Sequence, residues 1–184
     1  MIMRNIIIFI ASLCIAVAIF STAEKPTATP IHHTLRTNSC PPVVIQPQPP
    51  KPSWSPSAIG LIISGNKYPG ANVCKSEPNA VLMAMAERHA KYQASICVQG
   101  HQNFDRRCAE LRQTFGNFEY AEICAESWPE QVNCTSEELG HELFKCWAQS
   151  PGHWKVACKQ HRYFGASMAC GKNGIFYGCI IVCD

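Results

Sequence analysis

Apolar residues recur at helical spacing in three stretches of the chain and follow a strand-like pattern in three others. The first helical stretch begins at Ser76-Glu77-Pro78 and runs to about residue 98, with Leu82, Met85, Ala86, His89, Tyr92 and Ile96 as its inward stripe and Gly100 closing it. A second helix is expected over residues 104–114, ending at Gly116. The third carries an S/T-x-x-E capping box at Thr135 and Glu138, then Leu139, Leu143, Cys146 and Trp147 at i, i+4, i+7 and i+8. That pattern predicts a helix over residues 136–149. Ser150-Pro151-Gly152 should stop it, because proline disfavours helical geometry in the residue before it and glycine accepts positive φ. Trp147, Ser150, Pro151 and Gly152 thus form a structural turn that leaves His153 on a stiff mount at the edge of a core.

The strand signals fall between and after these helices. Residues 120–127 mix small, apolar and polar positions, and residues 163–170 place Phe164, Ala166, Met168 and Cys170 on one face. Residues 175–183 are almost continuously apolar, as in a strand buried on both sides. Asn173-Gly174 is a hairpin signal between the last two. A turn centred there sets Cys170 opposite Tyr177 and Cys179 opposite Met168, which makes Cys170 and Cys179 poor partners for a mutual disulfide. Cys179 and Cys183 lie about 13 Å apart along a strand, too far to hold one metal. Residues 58–63 read as a short helix or strand, Lys67-Tyr68-Pro69-Gly70 as a turn, and residues 154–160 as irregular or helical.

Outside these elements the chain changes character. Residues 1–23 read as a signal peptide, with Arg4 as the positive start, an apolar core from Ile6 to Phe20 and Ser21-Thr22-Ala23 at the cleavage site. The apolar run of about 15 residues is short of the roughly 20 needed to span a bilayer, so no membrane span is expected once the signal is cleaved. Residues 24–56, with Pro41-Pro42 and Gln46-Pro47-Gln48-Pro49-Pro50, read as a Pro-rich linker, and residues 57–184 as the folded domain. The chain is therefore expected to be secreted or held at the cell envelope. Of its 12 cysteines only Cys14 lies in the signal, which leaves an odd number. An exported chain so rich in thiols should be disulfide-rich, with one thiol free or joined to another molecule in a disulfide-linked oligomer. A formal charge of +3 over 184 residues, with no basic run interleaved with aromatics, argues against nucleic acid as a partner.

Three residues stand at element boundaries or within a strand where they could share a cleft: His101, Glu122 and His153. Two imidazoles and a carboxylate suit a divalent transition metal or general acid–base work, though each residue alone could equally satisfy backbone groups near a loop. His89, inside an apolar stripe, reads as a hydrogen-bonded core histidine, and His161 as a surface residue. His141-Glu142 starts like a zinc-binding H-E-x-x-H helix, but Lys145 occupies the fifth position and the motif fails. Asn133-Cys134-Thr135 fits an N-glycosylation sequon.

Glu87-Arg88-His89-Ala90, the later His101, Ala121-Glu122-Ile123-Cys124-Ala125, and Trp147 with Ser150-Pro151-Gly152-His153 occur in that order. With Phe164-Gly165 and Gly174-Ile175-Phe176-Tyr177, they make residues 79–183 resemble the CAP superfamily (SCP/TAPS, cysteine-rich secretory protein-like domain), in its bacterial-type branch. The glutamate of the family's Gly-Glu-Asn-Ile-Ala strand is kept as Glu122, but Ala121 and Ile123 replace its flanking Gly and Asn. Ala148-Gln149 stands where eukaryotic members carry a second glutamate. The resemblance implies an α/β (α+β) fold, an α-β-α sandwich around a central, mainly antiparallel sheet. It also implies a cleft carrying His101, Glu122 and His153 that binds zinc or another divalent ion, with sterols, lipids or glycans as ligands of other members and no common enzymatic activity. The expected function is an extracellular binding module for a small molecule, lipid, glycan or protein. The alternatives are a metal-assisted hydrolase using the same cleft and a disulfide-linked structural protein.

Overall fold

A computed structural model describes residues 53–128 and 134–184. The expected signal at 1–23, the linker up to residue 52 and Asn133 of the sequon lie outside the described residues. The fold is mixed α/β, with five helices and a four-stranded sheet among the described residues. No described helix is long and apolar enough to cross a membrane.

The chain enters through helix α1 (Pro56–Lys67), capped by Ser55, whose hydroxyl accepts the Ala58 N–H, with Pro56 at the first helical position. The ambiguous stretch at residues 58–63 is therefore helix, and regular structure begins at Pro56, just ahead of the expected boundary at 57. A short strand β1 (Glu77–Pro78) follows, then helix α2 (Ala80–Ile96), whose N-cap Asn79 accepts from Val81 and Leu82. Strand pairing at Glu77 and Pro78 is why α2 begins later than the sequence suggests.

Next come α3 (Phe104–Phe115), β2 (Tyr120–Glu126), α4 (Ser136–Ala148), α5 (Pro151–Ala157), β3 (Tyr163–Cys170) and β4 (Phe176–Cys183). The sheet order is β1-β3-β4-β2, with β1 parallel to β3 and the other pairings antiparallel. Helices cover both faces. On one side Leu61, Leu139, Leu143, Phe144, Trp147 and Ala157 pack with Ile123, Ala125, Ala166, Ile180 and Val182. On the other, Leu82, Met85, Ala86, Ala90 and Leu111 pack with Cys124, Cys179, Ile181 and Cys183. Alternation along β2 and β4 therefore sends neighbouring residues into opposite layers.

Three expectations are corrected. Leu82, Met85, Ala86 and His89 of the expected α2 stripe are buried and it continues through Ala90, Gln93 and Ala94, while Tyr92 and Ile96 are about 40% exposed (41% and 40%). The helix lies very close to the sheet at its N-terminal end, where a Cβ at Gly165 would collide with the backbone of Leu82 and Met83. The β3–β4 register is one residue off the expected one. Cys170 faces Phe176, Met168 faces Gly178 and Ser167 faces Cys179, because the connection is five residues long and Gly171 N–H bonds Ile175 O. Gly174, at φ +75°, supplies the left-handed step in that loop. His161 is buried rather than exposed, with Nδ1 2.9 Å from Asp184 Oδ2 and Nε2 3.1 Å from Val156 O.

Ser150-Pro151-Gly152 is also more than a stop. The α4 capping box forms as expected, and α4 ends at Ala148. Ser150 is then the N-cap of α5 and Pro151 its first residue, so His153 sits within the first turn of a helix instead of beyond a free turn. Proline has no N–H to waste at that position and its φ is already helical, so the same residue both ends α4 and starts α5.

Candidate functional site

Glu122 projects from edge strand β2 toward α2 and α3, and its side chain is fully buried. A carboxylate there must be paired. Arg107 of α3 supplies the pair: Nε donates to Oε2 at 2.8 Å and Nη2 to Oε1 at 2.7 Å, in a two-pronged grip. Arg107 Nη1 also donates to Gln102 O at 2.6 Å, tying the guanidinium to the loop that precedes α3.

That loop is held at three further points. His89 Nε2 lies 2.8 Å from Gly100 O, the Gly100 N–H donates to Gln93 Oε1 at 3.0 Å, and Gln99 Nε2 donates to Cys124 O at 3.0 Å. The first two contacts come from α2 and the third from the open edge of β2. Cys97 ends α2 in the left-handed conformation and Asn103 enters α3 in it, so the intervening chain turns sharply. The result sets His101 Nδ1 3.0 Å from Glu122 Oε1. The His101 ring is 5.7 Å, centroid to centroid, from that of His153 on α5. His101 is partly open to solvent and His153 is half-buried.

The electrostatics follow from this packing. Burial pushes the Glu122 carboxyl up, but hydrogen bonds from His101 and Arg107 and the Arg107 charge outweigh it and hold the group below the ordinary glutamate value. Burial pulls His153 down, and the neighbouring His101 pulls it further, which favours a neutral imidazole. His89 is also lowered, chiefly by burial, against the attraction of Glu122. With Nε2–H directed at Gly100 O, its Nδ1 is a buried acceptor with no hydrogen-bond partner.

His101, Glu122 and His153 therefore come together at the β2 edge, but they do not form a compact three-ligand set. Both Glu122 oxygens are taken by Arg107, and Oε1 by His101 as well. Among the described residues, the group whose ligand atoms all lie within 4.8 Å of one another is His89, Glu122 and Cys124, all buried. That group could hold a metal ion, with Cys124 Sγ 3.7 Å and His89 Nε2 3.6 Å from Glu122 Oε1. Binding through Nε2 would break the bond to Gly100, and an ion on Glu122 would face the Arg107 charge.

Sequence reasoning passed over Arg107, although a signal existed. Arg107, Cys108 and Leu111 are the buried face of α3, and a charged residue at a stripe position calls for a buried partner. His89 is a hydrogen-bonded core histidine, as its place in the α2 stripe suggested, and it also shapes the loop that carries His101.

No protein-family model matches the chain, and no curated protein matches it. Among solved structures it is similar to an outer surface protein from Borrelia burgdorferi, at a TM-score of 0.47 and 13% identity, covering 70% of this chain and 88% of that one. At that TM-score the likeness carries no argument about function.

Proposed function

We propose that the protein is an exported binding module of the CAP type, whose ligand site is the cleft between His101 and His153. The reading rests on one observation. His101 is oriented by a carboxylate on Nδ1 while its ring approaches His153, which leaves Nε2 for a ligand. Metal-binding histidines are held in this way, with the second nitrogen on a carboxylate that fixes tautomer and ring plane. His153, kept neutral by burial, offers a second lone pair. The donor set fits a divalent transition metal such as zinc, with His101 and His153 as its protein ligands and Glu122 as the positioning group. Zinc bound there would supply an open coordination position for a small ligand.

The same geometry favours binding over hydrolysis. Arg107 and His101 keep Glu122 ionised and engaged, so it is not poised to exchange a proton near neutral pH. Export is the compartment that suits the leader-like residues 1–23 and the many cysteines.

Calorimetric titration of zinc chloride into the parent, a His101→Ala/His153→Ala double variant and a Cys124→Ser variant tests the metal site. Saturable binding lost in the double variant and retained in Cys124→Ser is expected. Binding unchanged in the double variant would overturn the assignment, and loss only in Cys124→Ser would move the ion to the buried His89, Glu122 and Cys124 group.

A further inference from the structure

Cys124 and Cys179 are directly opposed in the β2–β4 ladder. Each is at most 1% exposed, and both point into the layer formed with α2 and α3. The ladder phase can be read from its end. Glu119 and Asp184 exchange both backbone hydrogen bonds, at 3.3 and 3.0 Å, so every second pair from there is hydrogen-bonded and the pairs between are not. Cys124 and Cys179 fall on a non-hydrogen-bonded pair. The Cys124 carbonyl agrees, since it turns outward to accept from Gln99. In antiparallel sheets such pairs bring Cα atoms to about 4.5 Å with side chains at their closest, within the range that a disulfide spans. The other described strand cysteines have no such partner: Cys170 faces Phe176, and Cys183 faces Tyr120 and Tyr163.

We propose that Cys124 and Cys179 form a cross-strand disulfide that ties β2, and with it Glu122, to β4. The proposal rests on the export reading, which supplies the oxidising compartment. The oxidant is a disulfide-exchange partner, either a protein disulfide or glutathione disulfide. One cysteine thiolate attacks it to give a mixed disulfide, and the second displaces the leaving thiolate. Two electrons pass to the partner, which leaves as two thiols carrying the two protons. Because the closed pair is sealed from solvent, the bond forms while β4 is still docking. Once formed, it removes the Cys124 S–H from Glu122 and leaves the carboxylate to Arg107 and His101. It also excludes Cys124 as a metal ligand, which is consistent with placing the ion at His101 and His153.

The test is a non-reducing peptide map of the full chain recovered from an exporting host, with free thiols alkylated under denaturation. Trypsin with glutamyl endopeptidase releases Cys124 in residues 123–126 and Cys179, together with Cys183, in residues 173–184, so the serine variants decide which of those two carries the link. The expected product is these two peptides linked, two hydrogens lighter than their sum, and absent from a Cys179→Ser variant but retained in Cys183→Ser. Recovery of Cys124 as the alkylated peptide, or linked through Cys183, overturns the proposal. The same map on reduced protein refolded in glutathione disulfide does not depend on export. A linked peptide there, with the natural chain retained in the cytosol and its thiols free, would sink the export reading alone. No linked peptide in the refolded protein would sink the disulfide. If the serine variants fail to fold, Cys124→Ala/Cys179→Ala, which keeps the strand face apolar, serves as the unlinked control.

Discussion

Replacing Arg107 with Met keeps most of the side-chain volume and removes the guanidinium from a fully buried carboxylate. Two outcomes compete at about pH 7. Leaving Glu122 charged with only the His101 hydrogen bond costs about 3–5 kcal/mol, the usual penalty for breaking a buried pair. Protonating it instead costs about 3.7 kcal/mol, since a reference value near 4.3 lies about 2.7 pKa units below that pH. The chain takes the cheaper path, so the expected destabilisation is about 3–4 kcal/mol. The sign of the pH dependence separates this from simple loss of packing. In the parent, Glu122 titrates below its unfolded value, so its stabilisation is present above that value and is lost as pH falls through the folded one. In the variant the folded value rises above the unfolded one, and the penalty is relieved by acid. Urea unfolding followed by circular dichroism at about pH 7 and about pH 4.5 should therefore show the gap narrowing to about 1 kcal/mol at the lower pH, the residue being the lost bond to Gln102 O. A second change, Glu122→Leu, in the Arg107→Met background should restore much of the stability. A gap that is the same at both pH values, or below about 1 kcal/mol at neutral pH, would refute the buried-pair account.

Two smaller predictions concern the frame around the site. Gly165→Ala pushes a methyl into the backbone of Leu82 and Met83, which no side-chain rotation can relieve, and should cost about 3 kcal/mol or more, read as a lower urea midpoint or loss of soluble protein. Thr135→Ala removes the hydroxyl that accepts the Glu138 N–H, leaving only the backbone half of the α4 capping box, and should cost about 1 kcal/mol in the same assay while leaving zinc affinity unchanged, because Thr135 lies at the opposite end of α4 from the turn that mounts His153.

Elements set by local chemistry were legible in the sequence. Thr135 and Glu138 announce the start of α4, Phe104 through Gly116 brackets α3, and the pattern after Asn173-Gly174 marks β4. What escaped depends on distances between elements. Tyr92 and Ile96 continue a sound helical stripe, yet the buried face of α2 runs through His89, Ala90, Gln93 and Ala94 and leaves them about 40% exposed (41% and 40%). The β3–β4 register followed from a hydrogen bond between Gly171 and Ile175 rather than from the Asn-Gly pair at the loop's far end. At the site, the residue types His101, Glu122 and His153 were readable. Their division of labour was not, because it turns on Arg107, a residue on another helix whose side chain occupies the carboxylate first.

The position of β4 has a consequence for the order in which the molecule is made. Among the described residues β2 pairs only with β4, which follows every other described element in chain order, and β4 also separates β2 from β3. While residues 176–183 are still being synthesised, β2 has no strand beside it, and the bed on which Glu122, Cys124 and the His101 loop rest does not exist. Assembly of the site is therefore a late event that cannot proceed from the N-terminal side piece by piece. A nascent chain stays without its finished sheet until nearly all of these residues have emerged, so closure of the sheet, strand pairing at Cys124 and completion of the histidine cleft are expected to occur as one step.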